Sequence, residues 1–341
     1  MIHNTRISSI DAARGVGILL VILGHSIQYS RPDMDASVLF RYIYAFHMPL
    51  FFAISGYCGR KSALRMVNMR VSDFYKRVYR DFWALMVPYY IWTLLVLLAD
   101  PYGFIGNLSA SFVIRFLFGN IEIFWFLPCL FYCRIASNFD FFILQRFRWE
   151  KQLIAIIIII ITILILDCAG LCDIFYALFY FTGYYLLSVS GTLEARGGNK
   201  DYILFCGVVS AFLIIAYYFR RNTYPSFFDG IIHSPFWLLQ FGRVYRIVTA
   251  TIGIITCLSA VTILCKEKHV HSILIYLGKH TIELYTVSTA AYLLLASLCS
   301  YNAQLIPIPF PLLFVVILCI SLLLTWSISK RVYLSRLLFG K

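Results

Sequence analysis

Arg14 and His25 stand eleven residues apart inside an apolar run. On an ideal helix eleven residues turn about 1100°, three full turns plus about 20°, and rise about 16 Å, so the two side chains share one face at two depths. A guanidinium is a permanent cation that forks onto anions, and an imidazole titrates near neutral pH and can accept or release a proton. An ionisable side chain at depth in an apolar helix is costly, which makes each a functional candidate with a partner to be found. Spacing alone leaves a plainer reading equally open, in which Arg14 snorkels to a membrane surface and His25 hydrogen-bonds a neighbouring helix.

The elements that carry these residues are membrane helices. The 341 residues are 61% apolar, 18% aromatic and 13% charged, whereas a soluble domain carries about 25% charged residues. A helix needs about 20 apolar residues to cross the hydrocarbon core, so this length holds roughly ten crossings with short loops. Apolar runs bounded by turn and charge signals predict spans near 12–29, 40–58, 81–99, 118–135, 152–167, 172–189, 201–219, 246–265, 281–299 and 308–328. The expected fold is all-α, a polytopic bundle of about ten transmembrane helices, in a single domain over residues 1–341. The first run exceeds a signal-peptide core and lacks a small-x-small cleavage site, so it stays as a membrane helix. The Ile-rich stretch from Ile154 to Ile165 is expected to face lipid.

A net charge of +13 would suit nucleic acid, but basic residues lying between apolar runs are topology signals, and no nucleic-acid partner is expected. With the N-terminus inside, 22 of the 29 Lys and Arg residues fall in cytosolic segments, and the positive-inside rule then puts both termini in the cytosol. The connection 220–245 is apolar through Pro225, Phe227, Phe228, Pro235, Phe236 and Trp237. It reads either as an interfacial or re-entrant lid or as a surface loop dipping into headgroups. The ten cysteines form no CxxC pair and read as buried thiols. Cys168 and Cys172 bracket a short turn with Asp167 and Asp173, where a metal or disulfide role is the alternative.

The stretch Asp11-Ala-Ala-Arg-Gly-Val-Gly-Ile-Leu-Leu-Val-Ile-Leu-Gly-His25 is followed by Phe46-His-Met-Pro-Leu-Phe-Phe-Ala-Ile-Ser-Gly-Tyr57. With Arg77-Val-Tyr-Arg80, Pro88-Tyr-Tyr-Ile-Trp92, Trp125-Phe-Leu-Pro128 and Leu277-Gly-Lys279, these resemble the acyltransferase-3 superfamily, especially its fucose 4-O-acetylase-like branch. The resemblance implies transfer of an acyl group, mostly acetyl, from cytosolic acetyl-CoA or another acyl-CoA to a carbohydrate of a surface polysaccharide or lipid-linked glycan. The acyl-CoA is then a co-substrate, with no tightly bound cofactor, and the chain is a multi-pass protein of the inner (cytoplasmic) membrane. The family's first-helix arginine and histidine match Arg14 and His25.

On that resemblance Arg14 anchors the anionic head of coenzyme A at the cytosolic mouth, with Lys76, Arg77 and Arg80 adding contacts to phosphate. Taken alone, the basic 59–80 segment is a positive-inside signature. His25, in the outer half, takes the proton from a sugar hydroxyl as it attacks the thioester, or carries the acyl group transiently; both mechanisms stay open. His47 lies near His25 in height, and Pro49 is expected to open the helix there. Ser55 and Gly56, deeper on that helix, read first as a close helix contact and second as channel lining. Glu122 orients the imidazole or grips a sugar hydroxyl, and Trp125 stacks on a sugar ring; otherwise they are a loop-edge carboxylate and an interface anchor. Glu283, at the cytosolic start of the ninth span, pairs with Arg14 or another basic residue, or simply caps its helix. The family often has a histidine three positions after Tyr285, where this chain has Ser288.

No zinc motif, P-loop or nucleotide fingerprint occurs. His3, His233, His269, His271 and His280 lie in polar or interfacial segments and read as solvated. A glycan transporter or flippase would share the helices and aromatic walls, but no internal symmetry of interrupted helices is seen. A degenerate, non-catalytic member is disfavoured by the intact Arg14, His25 and Arg77-x-x-Arg80.

Overall fold

Within a bilayer no water satisfies backbone N–H and C=O groups, so a chain this apolar must close its hydrogen bonds inside helices. The computed structural model describes residues 8–65, 70–99, 110–119, 121–144, 152–185, 199–220, 235–299 and 305–341. The first half of the chain forms α1 (Ser8–Ser30), α2 (Val38–Leu64), α3 (Val71–Asp81), α4 (Val87–Leu98), α5 (Ala110–Leu117), α6 (Phe126–Leu144) and α7 (Gln152–Cys168). The second half forms α8 (Ile174–Tyr185), α9 (Asn199–Tyr217), α10 (Pro235–Leu264), α11 (Lys268–Lys279), α12 (Thr281–Cys299), α13 (Phe310–Ser329) and α14 (Val332–Phe339). A π-helical turn, Phe82–Met86, joins α3 to α4, and a 3-10 turn, Glu122–Phe124, precedes α6. Among the described residues there is no strand, and seven helices are long and apolar enough to cross a membrane. The molecule is an all-α polytopic membrane protein.

Each predicted span overlaps a helix among the described residues, but several boundaries differ. The 59–80 segment, expected as a loop, is mostly helical: α2 runs on to Leu64 and α3 begins at Val71. The fourth span starts at Phe126, because Gly119, at φ 75, turns the chain after α5. In the 220–245 connection, α10 already begins at Pro235, and residues 221–234 of the expected lid lie outside those described. α7 exposes Ile157, Ile160, Ile161, Leu164 and Ile165 on one face while Ile163 and Leu166 are buried, as a lipid-facing helix requires. Pro49 is accommodated in α2, which stays helical from Val38 to Leu64.

The described residues gather into two compact units. The first holds α1, α2 as far as Phe51, α9, α10, α11, the start of α12 to Tyr285, and α13 to Leu318. Its organising contact is α1 against α11. A Cβ on Gly15 would overlap the Leu274 carbonyl oxygen, and one on Gly278 the Asp11 carbonyl oxygen, so the two backbones touch. Lipid tails give apolar helices no reason to leave them, and small residues that allow backbone contact supply the packing instead. α1 also pairs with α2, Gly17 lying against the Phe51 ring and Gly24 against Tyr44 and Ile43. Ile27, Phe40 and Ile43 form a core there, covered by Leu20, Leu23, Met34, Tyr44 and Phe310.

The second unit holds the rest of α2, α3 to α8, and the later parts of α12 and α13 with α14. A Cβ on Gly56 would strike the Tyr180 carbonyl and one on Gly183 the Ala53 carbonyl, so Gly56 serves the close contact of α2 with α8. α14 returns to α4, where the Trp92 indole donates to the Leu338 carbonyl at 2.9 Å.

Gly278→Ala is expected to lower stability by about 1–3 kcal/mol through overpacking, whereas Gly207→Ala, where a Cβ meets nothing within 4 Å, is expected to leave it unchanged. Thermal unfolding of the purified protein in detergent reads the difference; equal midpoints for the two variants would refute the crossing.

Candidate active site

In the first unit, α1 is one unbroken helix, so Arg14 and His25 stand on one face three turns apart. Arg14, with 23% of its side chain exposed, meets Asp11 at 3.6 Å one turn back on the same helix. Asp11 is buried and its backbone is the part of α1 that touches Gly278. Glu283 is 1% exposed in the first turn of α12 and pairs with His280 Nδ1 at 3.1 Å. His280 is therefore half-buried and ion-paired when protonated, correcting its reading as solvated; Tyr276 lies against its ring at 4.7 Å. His271 also departs from that reading, its Nε2 being buried. His269 is exposed, as expected, and His3 and His233 lie outside the described residues. Each of these two buried carboxylates, Asp11 on α1 and Glu283 on α12, has a basic side chain three residues away.

At the other end of α1, the Gly17–Phe51 and Gly24–Tyr44 contacts fix an antiparallel register. In that register His25 stands opposite Ile43 and His47 opposite Val21, four residues or about 6 Å apart along the axis. The expected proximity in height holds to one helical turn. His47 is 2% exposed, and its Nδ1 lies 2.8 Å from the Ile43 carbonyl. A carbonyl only accepts, so Nδ1 is the donor in this contact. Tyr44 packs edge-on to His47 at 4.8 Å and donates its hydroxyl to Gln28 Oε1 at 2.7 Å. His25 is half-buried, with Tyr29 tilted against it at 6.4 Å. Gln28 and Tyr44, three residues from His25 and His47 respectively, are polar neighbours that the sequence reading passed over. Their signal was the helical i,i+3 spacing.

In the second unit α3 sorts its basic residues by face. Lys76 and Arg80 are exposed, as are Tyr75 and Tyr79, while Arg77 and Asp81 are buried. Arg77 donates Nη2 to the Ser62 hydroxyl, and its Nε and Nη1 are buried with no hydrogen-bond partner among the described residues. Asp81 is held by Arg134 at 3.2 Å and Arg80 at 3.5 Å. Arg60 lies over the rings of Tyr184, Phe141 and Tyr185 at 5.3, 5.5 and 5.6 Å. Arg60, Asp81 and Arg134 belong to this polar layer, and sequence reading missed them because they are dispersed over three helices.

Trp125, half-buried, is packed against Tyr176 at 4.8 Å and Phe52 at 6.4 Å. The backbone of Glu122 opens the 3-10 turn before it, and the Glu122 side chain lies outside the described residues. Ser288, where the family's histidine was expected, is 1% exposed in α12. Cys172 is joined to Cys129 in a disulfide, while Cys168, Cys206, Cys299 and Cys319 are exposed, so these six depart from the reading of buried thiols.

Among known proteins, a family model described as an acyltransferase domain matches residues 7–330. The nodulation protein NolL of Mesorhizobium japonicum is 40% identical over 97 residues, covering 27% of this chain and 24% of that protein. The nodulation protein NolL of Sinorhizobium fredii is 25% identical over 301 residues, covering 85% of this chain and 79% of that protein. No solved structure matches.

Replacing Arg134 with Met leaves the buried Asp81 carboxylate with only the exposed Arg80. That change is expected to cost about 1–3 kcal/mol, and Arg80→Ala less than about 1 kcal/mol. Comparing the melting of the two variants checks this; a larger loss for Arg80→Ala would contradict the assignment.

Proposed function

We propose, from the premise that this chain belongs to the acyltransferase-3 family of membrane acyltransferases, that it moves an acetyl group from cytosolic acetyl-CoA to a carbohydrate hydroxyl. The acceptor is a surface polysaccharide or a lipid-linked glycan, and the protein resides in the cytoplasmic membrane with both termini inside. The observation that carries this reading is the unbroken α1, which keeps Arg14 and His25 on one face about 16 Å apart. That distance suits a donor whose anionic head and reactive thioester are separated by a long arm.

His25 acts as general base. It takes the hydroxyl proton as the sugar oxygen attacks the thioester carbonyl carbon, the C–S bond breaks, and the departing sulfur leaves as coenzyme A thiol after receiving a proton. His47 is a second imidazole about one turn from His25 along the helix axes, placed for the same proton traffic. Arg14 anchors the donor, and the exposed Lys76 and Arg80 with the buried Arg77 bind its phosphates. Burying Nε and Nη1 of Arg77 with no hydrogen-bond partner among the described residues is costly, and an anion placed there relieves that cost. Trp125 stacks on the sugar ring, and Glu283 steadies the donor end through its pair with His280.

Membranes containing the protein are expected to transfer labelled acetyl from acetyl-CoA to extractable glycan. His25→Ala should reduce the rate by about 100-fold or more. Arg77→Ala should raise KM for acetyl-CoA with a smaller change in kcat. Undiminished transfer by His25→Ala would remove His25 from the mechanism, and passage of labelled glycan across vesicles without acetylation would replace the enzyme with a transporter.

A further inference from the structure

A cluster of three sulfurs in the second unit has no part in the acyl-transfer reading. Cys129 and Cys133 lie one turn apart on the same face of α6. Cys172 lies in the turn between α7 and α8. That turn is built independently of any cysteine. Gly170 takes φ 65, the Leu171 and Cys172 amides both donate to the Leu166 carbonyl, at 2.9 and 3.2 Å, and Asp167 Oδ1 accepts from the Ile174 amide at 2.8 Å. Cys172 is thereby presented to α6, where it is disulfide-bonded to Cys129. The third sulfur, Cys133, is 3.6 Å from the Cys172 sulfur, and the three lie within 4.8 Å of one another. All three are buried, at 3%, 0% and 3% exposure for Cys129, Cys133 and Cys172. A thiol in contact with a disulfide sulfur has the access that thiol–disulfide exchange requires.

We propose that Cys129, Cys133 and Cys172 form an internal exchange site in which Cys172 passes between the two sulfurs of α6. The Cys133 thiolate attacks the Cys172 sulfur, a Cys133–Cys172 bond forms, and the Cys129–Cys172 bond breaks. The proton given up by Cys133 ends on Cys129. The step is redox-neutral and needs no external oxidant or reductant. The topology expected from the charge count puts this turn on the outer side of the membrane, where disulfides persist.

The device keeps one contact under either pairing. Tyr176 follows Cys172 by one helical turn and Trp125 precedes Cys129 by one, and their rings meet at 4.8 Å, with Phe52 against Tyr176 at 5.2 Å. Tethering Cys172 to α6 through either sulfur keeps this aromatic stack closed, and losing both tethers frees the turn that carries Tyr176.

The test is peptide mapping of the full chain purified without reductant, quenched in acid, alkylated and digested with pepsin, a protease that works under acid quench. The wild type is expected to yield both Cys129–Cys172 and Cys133–Cys172 peptides, Cys133→Ser only the former and Cys129→Ser only the latter. In Cys172→Ser, amide hydrogen exchange across residues 174–178 should rise above that of either single α6 variant. A wild type holding Cys129–Cys172 alone, or three free thiols with or without a bound soft metal ion, overturns the proposal. So does a folded Cys129→Ser chain whose Cys133 and Cys172 are both free.

Discussion

The backbone contact between α1 and α11 through Gly15 and Gly278 governs the first unit. In a bilayer the hydrophobic effect does not hold helices together, and van der Waals contact between closely approaching backbones takes its place. That contact explains why the arginine of α1 sits among small residues: Ala12, Ala13 and Gly15 make room for α11, and Arg14 points off the crossing with part of its surface open. The buried Asp11 neutralises it at 3.6 Å. Once α1 is seated, its register against α2 follows from Gly17 and Gly24, and that register sets the levels of His25 and His47.

Charge in the second unit obeys a complementary constraint, since a buried ion must be paired or must bind something charged. α3 resolves this by periodicity. Residues 74, 77, 78 and 81 turn inward, while Lys76, Tyr79 and Arg80 face out. Asp81 finds Arg134, whereas Arg77 finds one serine hydroxyl and retains two buried nitrogens without hydrogen-bond partners among the described residues.

Much of the fold was legible because a membrane span announces itself by length and apolarity alone, without reference to any partner. Helices set by tertiary contact were not. Lys268–Lys279 carries lysines and histidines that read as a cytosolic loop, yet it is helical because Leu274, Leu277 and Gly278 pack on α1. The 59–80 segment carries seven basic residues and looks like a loop in bulk, but its apolar and basic positions alternate with helical spacing. The same distinction runs through the site. Arg14 and His25 were legible together because one helix carries both, whereas the His280–Glu283 pair, three residues apart, was missed because it straddles the start of α12. Arg60, Arg77 and Arg134 come from three helices, and the Cys129–Cys172 link spans 43 residues, so no local spacing marks either group.

The central claim is that one helix carries an acyl group outward, from an anchor at the cytosolic mouth to a base in the outer half of the membrane. Sealed vesicles of defined orientation test it most directly. Labelled acetyl-CoA added outside inside-out vesicles, which expose the cytosolic face, should deliver label to glycan that becomes accessible to a glycosidase only after the vesicles are opened. Right-side-out vesicles given the same donor should deliver none. Equal labelling by right-side-out vesicles would contradict a cytosolic donor site at Arg14 and an outer site of chemistry at His25.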